Sequence, residues 1–173
     1  MNGIILYKSK YGATKRYADW LAERTGFFCM KTEEADIKKL SDYDVILLGG
    51  GIYASSIAGL SFLNMNIDKL KDKKIIIFCC GASPYEQGAF EAIVSHNLKG
   101  DLAGIPCFYL RGAFDMGVMT WKDRTLCRML HKALAKKNPD TYEVWEKALV
   151  EAFESEKADW TDKAAIEPII AAI

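Results

Sequence analysis

Gly3-Ile4-Ile5-Leu6-Tyr7-Lys8-Ser9-Lys10-Tyr11-Gly12-Ala13-Thr14 is the stretch around which the chain is organised. Its first six residues form an apolar run of strand type. A hydroxyl-bearing turn follows, and helical spacing begins at Ala13. A buried strand that passes through a tight turn into a helix builds an anion site. The first N–H groups of a helix have no internal acceptor, and the helix dipole favours negative charge beside them. Ser9 and Thr14 add hydroxyls, and Gly12 lets the main chain turn sharply and approach a ligand closely. The turn lacks the Gly-Lys-Ser/Thr of a P-loop and is not a Gly-x-Gly-x-x-Gly turn. Its Ser-x-x-Gly-x-Thr spacing suits a single phosphate held by hydroxyls and amides.

Beyond this turn, Tyr17, Ala18, Leu21 and Ala22 predict a helix over 13–25 that stops at Gly26. Strands are expected at 27–31, 44–48, 74–80 and 105–110. A helix carrying Ile57, Leu60, Leu63, Ile67 and Leu70 lies between the third and fourth strands. Ser83-Pro84-Tyr85-Glu86 predicts a further helix start, with Ser83 as N-cap, Pro84 in the first turn and Glu86 completing a capping box. Continuously apolar strands alternating with amphipathic helices imply an α/β fold with a doubly wound five-stranded parallel sheet. More helices follow: one from about Thr120 with Leu126, Cys127, Leu130 and Leu134 inward, and one with Trp145, Ala148, Leu149, Ala152 and Phe153. The last is alanine-rich, and Pro168 kinks or restarts it. With no repeat or low-complexity linker, residues 1–173 read as a single domain.

Twenty-three basic residues balance twenty-three acidic ones, so net charge gives no argument for nucleic-acid binding. No run reaches the ~20 apolar residues of a membrane span. The first residues lack a signal-peptide layout, and a cytoplasmic location is the expectation. Five cysteines show no paired metal spacing, which predicts no metal centre. His96 and His131 stand outside any recognisable motif and read as solvated or packing residues.

The first turn resembles the phosphate loop of flavodoxins, Thr/Ser-x-Thr-Gly-x-Thr, in Ser9, Gly12 and Thr14, with Tyr11 in place of the middle hydroxy residue. Nearly the whole chain is similar to the flavodoxin-domain family. Gly112-Ala113-Phe114, Trp121-x-Asp123-Arg124 and Asp159-Trp160 resemble the flavodoxin-like menaquinone-dependent protoporphyrinogen oxidases. Residues 81–104 depart from that branch, which carries a longer basic insertion there.

The resemblance implies strand order 2-1-3-4-5 with extra C-terminal helices, and FMN as cofactor. In that order three loops meet at the switch point between strands 1 and 3. The site residues implied are Ser9, Lys10, Tyr11, Gly12, Ala13 and Thr14 for phosphate. For the ring they are Gly50, Gly51, Ile52, Tyr53 and Ala54, with Cys80, Gly81, Ala82, Ser83 and Tyr85. Gly49, Gly50 and Gly51 are expected to form a loop that adopts positive φ, with the Gly50-Gly51 peptide at the ring edge and Tyr53 or Tyr85 stacked on a face. Gly49-x-Gly51-x-x-Ala54 also has dinucleotide spacing. The next strand, however, ends Cys79-Cys80-Gly81 without the acid that would bind a ribose.

Past the fifth strand, Arg111 and Phe114 are expected to touch a substrate, and Phe114, Met116, Met119 and Trp121 to form an apolar shelf. Together these imply an FMN-dependent oxidoreductase acting on a small quinone- or porphyrinogen-type partner. Two alternatives stay open: a one-electron carrier to redox proteins, and a flavin-less interaction module of the same fold. Oligomeric state stays open too.

Overall fold

The computed structural model describes residues 2–173. Five parallel strands form the main sheet: β1 (Gly3–Lys8), β2 (Phe28–Lys31), β3 (Val45–Tyr53), β5 (Lys74–Gly81) and β6 (Cys107–Arg111). Their spatial order is β2-β1-β3-β5-β6, which is the 2-1-3-4-5 order once the short β4 (Ser56–Ile57), antiparallel to β3, is set aside. Successive side chains of a strand face opposite sides, and both sides are buried here. Ile4, Leu6, Ile46, Leu48, Ile75 and Ile77 face α2 (Leu60–Asn66) and, more loosely, α3 (Gln87–Asn97). Ile5, Tyr7, Val45, Leu47, Ile76 and Phe78 face α1 (Ala13–Thr25) and the C-terminal residues Ile166 and Ile169. Helix α1 buries Tyr17, Ala18 and Leu21 and ends on Gly26, whose N–H donates to the Ala22 carbonyl.

Several expectations need correction. Gly49, Gly50 and Gly51 do not form a loop: they continue β3, buried, and none has positive φ. Space is the reason. A Cβ on Gly50 would lie 2.1 Å from the Ala58 carbonyl oxygen, one on Gly49 2.1 Å from the Phe78 ring, and one on Gly51 2.6 Å from the Tyr53 hydroxyl. The left-handed positions are instead Ala54 (φ 46°) and Ser55 (φ 65°), in the turn from β3 to β4. The N-cap of α3 is Glu86 rather than Ser83. Its carboxylate accepts from the Gly88 and Ala89 N–H groups at 2.9 and 2.6 Å.

After β6 the chain makes a two-stranded ribbon that periodicity did not show, β7 (Ala113–Asp115) antiparallel to β8 (Lys157–Asp159). Between its strands stand α4 (Trp121–Leu134), with Thr120 as N-cap, and α5 (Val144–Ser155). The two helices form a hairpin tied within itself. Lys137 pairs with the buried Glu146 at 2.7 Å, and the Tyr142 hydroxyl donates to the Leu134 carbonyl at 2.7 Å. Leu134 is buried as expected, but Leu126 and Leu130 are exposed and Cys127 is only half-buried, because α4 stands away from the sheet. A 3-10 turn (Lys163–Ile166) leads into α6 (Glu167–Ala171), where Pro168 sits in the first turn and starts the helix rather than kinking one. Among the described residues no helix is long and apolar enough to cross a membrane.

Candidate functional site

The carboxyl ends of β1, β3 and β5 bring the turn after β1, the β3–β4 turn and the segment after β5 to one edge of the sheet. The turn after β1 is held from inside. The Gly12 N–H donates to Ser9 Oγ at 3.0 Å, and Gly12 takes φ 98° in open space. Helix α1 then starts without a side-chain cap and without an acidic residue in its first turn. Its leading amides therefore point at the turn without a protein acceptor, which fits a phosphate. Thr14 is buried beside Cys80. Burial pushes the Cys80 thiol up to about 12, against the opposing pull of the Thr14 hydroxyl, so it is a neutral packing group at neutral pH.

Tyr53 ties two of the loops together. Its hydroxyl accepts from the Lys10 N–H at 3.1 Å, its ring meets that of Tyr11 edge-on at 6.4 Å, and it folds back over Gly51. Desolvation by burial raises the pKa of this phenol above its ordinary value. Tyr85 does not join it. The Tyr85 ring is exposed and packs in a cluster with Phe90 and Tyr109 at 5.7 and 6.1 Å. The Tyr109 hydroxyl donates to the Ser83 carbonyl at 2.5 Å, and the Arg111 Nε donates to the Ala82 carbonyl at 3.2 Å. The segment after β5 is thus fastened from behind by β6.

Beside these loops opens a cleft of about 1020 Å³. Ile52, Ala54, Ser55, Gly81, Ala82 and Ser83 form its floor end. Phe90 and Ile93 of α3 make one wall; Leu130, Trp145 and Leu149 of α4 and α5 make the other. Phe114, buried in β7, lies at its base. The lining is mostly apolar; among the described residues its titratable side chains are Glu86, Glu143, His96 and Tyr109, with no Lys or Arg.

Of the expected site residues, Ile52, Ala54, Gly81, Ala82, Ser83 and Phe114 line this cleft, and Ser9, Lys10 and Tyr53 line a smaller hollow of about 510 Å³ beside it. Gly50 and Cys80 are buried in the sheet. Arg111 stacks its guanidinium over Trp160, 4.2 Å from the ring centroid. The Trp160 N–H donates to the Gly112 carbonyl at 3.0 Å, while Asp159 pairs with Arg16 at 2.5 Å. The Asp-Trp pair therefore clamps the C-terminal segment onto α1 through Asp159 and onto the end of β6 through Trp160. Arg124 donates to the Gly117 and Met119 carbonyls and shapes the entry to α4. Trp121 is exposed away from the shelf it was expected to build.

Asp123 stands out in sequence only as part of the Trp121-x-Asp123-Arg124 motif, yet its carboxylate meets both Lys10 Nζ and the Tyr11 hydroxyl on the turn after β1. Lys10 and Tyr11 together hold that carboxyl below its ordinary range. Sequence carried no signal for this contact, since 112 residues separate Tyr11 from Asp123. The α5 wall was equally hidden: Trp145 and Leu149 sit at helical spacing and read as ordinary core.

A family model described as a flavodoxin domain matches residues 4–142. No curated protein matches the chain. Among solved structures, the chain is similar to the two-electron reduced flavodoxin of Megasphaera elsdenii, at 16% identity over 88% of this chain and 98% of that one, with a TM-score of 0.49. It is also similar to a WrbA-like flavodoxin from Agrobacterium tumefaciens, at 19% identity over 71% and 87%, TM-score 0.45. A flavoprotein from Lactobacillus acidophilus in complex with FMN is 18% identical over 64% and 91%, TM-score 0.41.

Proposed function

Because the chain belongs to the flavodoxin-domain family, we propose that it binds FMN and serves as an oxidoreductase for a small, neutral, quinone-type acceptor. The observation that carries the cofactor half is the uncapped start of α1, set behind a turn that Ser9 and Gly12 hold open. In this reading the first-turn amides of α1 and the Ser9 hydroxyl hold the phosphate. The ring is received between the β3–β4 turn and the segment after β5. Bound FMN supplies the redox chemistry, and the protein supplies binding, orientation and electrostatics. Tyr109 and Arg111 keep the segment after β5 in place, and the walls of α3 and α5 keep water off the acceptor's face.

The acceptor half rests on the cleft. About 1020 Å³ lies at the upper end of the ~300–1,000 Å³ usual for ligand pockets, so it has room for a second ring beside a flavin. Two glutamates and no Lys or Arg line it, which favours a neutral quinone over a porphyrinogen bearing carboxylates. Arg111 and Arg124, which a carboxylate-bearing substrate would need, are engaged with Ala82, Trp160, Gly117 and Met119.

The test is a pair of titrations followed by flavin fluorescence. FMN is expected to bind much more tightly than riboflavin. Ser9→Ala is expected to cost FMN about 1–3 kcal/mol for the charge-assisted bond lost, and riboflavin almost nothing. Equal affinities for the two flavins remove the phosphate assignment, and no binding of either leaves the flavin-less module.

A further inference from the structure

The hairpin α4–α5 forms one wall of the cleft, yet little holds it there. Among the described residues, the hydrogen bonds and ion pairs that join residues 116–156 to residues 2–112 all end on Lys10 or Tyr11. Asp123 meets Lys10 Nζ and the Tyr11 hydroxyl, and the Thr120 N–H reaches the same hydroxyl at 3.4 Å. Otherwise the hairpin is carried on the β7–β8 ribbon, and its outer face leaves Trp121, Leu126 and Met129 exposed. Both partners of Asp123 belong to the turn that leads into the uncapped start of α1.

We propose that Asp123 is a positioning residue that latches the α4–α5 wall to the phosphate turn, and that the cofactor phosphate competes with it for Lys10. The inference rests on the reading that FMN phosphate sits at this turn. A phosphate dianion beside α1 draws the Lys10 ammonium, the nearest cation on the turn, toward itself. A carboxylate on that same ammonium is repelled by the dianion and loses its partner. Phosphate binding therefore loosens the latch, and the wall over the cleft is freed to admit an acceptor beside the ring. Cofactor loading and acceptor access become linked through a single side chain. Linkage of this kind is reciprocal, so whatever releases Asp123 also tightens FMN.

Two variants separate the latch from a merely structural contact. Asp123→Asn removes the competing charge. It is expected to tighten FMN by about two- to fivefold, the span of an exposed ion pair, and to leave riboflavin unchanged. Lys10→Met removes one of the two partners of Asp123 and the phosphate's cation together, so it loosens the wall but is expected to weaken FMN by a similar factor. A contact that only stabilises the fold moves both affinities the same way. Wall position is read separately on the full chain, as the distance between spin labels at Glu91 on α3 and Glu151 on α5, with the half-buried cysteines 29, 107 and 127 replaced by Ser. The distance is expected to broaden or lengthen in both variants without ligand, and in the parent on adding FMN but not riboflavin.

Parent-like distances in both ligand-free variants overturn the latch, as does FMN binding to Asp123→Asn no more tightly than to the parent. If the parent binds neither flavin, the cofactor reading fails. The ligand-free distances still decide whether Asp123 holds the wall.

Discussion

Single residues at this sheet edge are fixed by space and by charge in different ways. Gly50 is a matter of space: the Ala58 carbonyl and the Ile57 side chain fill the volume a methyl would need. Gly50→Ala is expected to lower stability by about 1–3 kcal/mol, as overpacking does, read as a shifted urea midpoint at unchanged slope. Arg16 and Asp159 are a matter of charge. The guanidinium, with the Thr161 hydroxyl and N–H, holds the Asp159 carboxyl down to about 2. An unfolded aspartate titrates near ~3.9, so this contribution is complete above that value and is lost as pH falls toward 2. Both side chains are close to half-exposed, which keeps it under about 1 kcal/mol. Arg16→Met is expected to be slightly less stable than the parent at pH 6, and the gap in melting temperature is expected to close between pH 4 and pH 2. The residue types of the turn after β1 were legible in sequence because Ser9, Gly12 and the start of α1 are neighbours in the chain. What Asp123 does there was not, because nothing local marks a carboxylate that acts at the other side of the fold.

Elements were legible wherever one period dominates. All five parallel strands, α1 and the start of α4 at Thr120 follow from apolar runs and caps a few residues long. The β3 exit did not follow, because three glycines in a row have the composition of a loop while the packing of Phe78, Ala58 and Tyr53 demands a strand without side chains. The start of α3 shows how a cap can be misassigned by three residues. Ser83-Pro84 has the right chemistry, but the Ser83 carbonyl is held by Tyr109, and Glu86 reaches the first amides instead. Glu86→Ala is therefore expected to lower the melting temperature by about 2–4 °C, and Ser83→Ala by almost nothing. Calorimetry of the two variants decides which residue is the cap. The β7–β8 ribbon was invisible for another reason. Strands of three residues have no measurable period, and pairing across the 41 residues between them is a tertiary choice.

For the molecule as a whole, the proposed neutral acceptor can be tested through charge and shape. Twenty-three positive and twenty-three negative charges leave little long-range field to steer a charged protein partner. Reduced protein is expected to be reoxidised by a neutral quinone at a rate that changes less than about twofold between low and physiological salt. Phe114→Ala, at the base of the cleft, is expected to slow that step while leaving FMN affinity nearly intact. Stopped-flow reoxidation at two ionic strengths, with a quinone and with a one-electron protein acceptor, measures both. A faster, salt-sensitive protein acceptor identifies a carrier. The ribbon that carries the hairpin also bears on how such a chain diversifies. Met116 N–H donates to the Glu156 carbonyl at 3.0 Å, so the chain leaves the β7–β8 ribbon and returns to it at adjoining points. Everything in between is an excursion of the kind that gene rearrangement can lengthen, shorten or exchange without severing the parallel sheet. Lineages sharing this core are free to keep the turn after β1 and change the wall beside it.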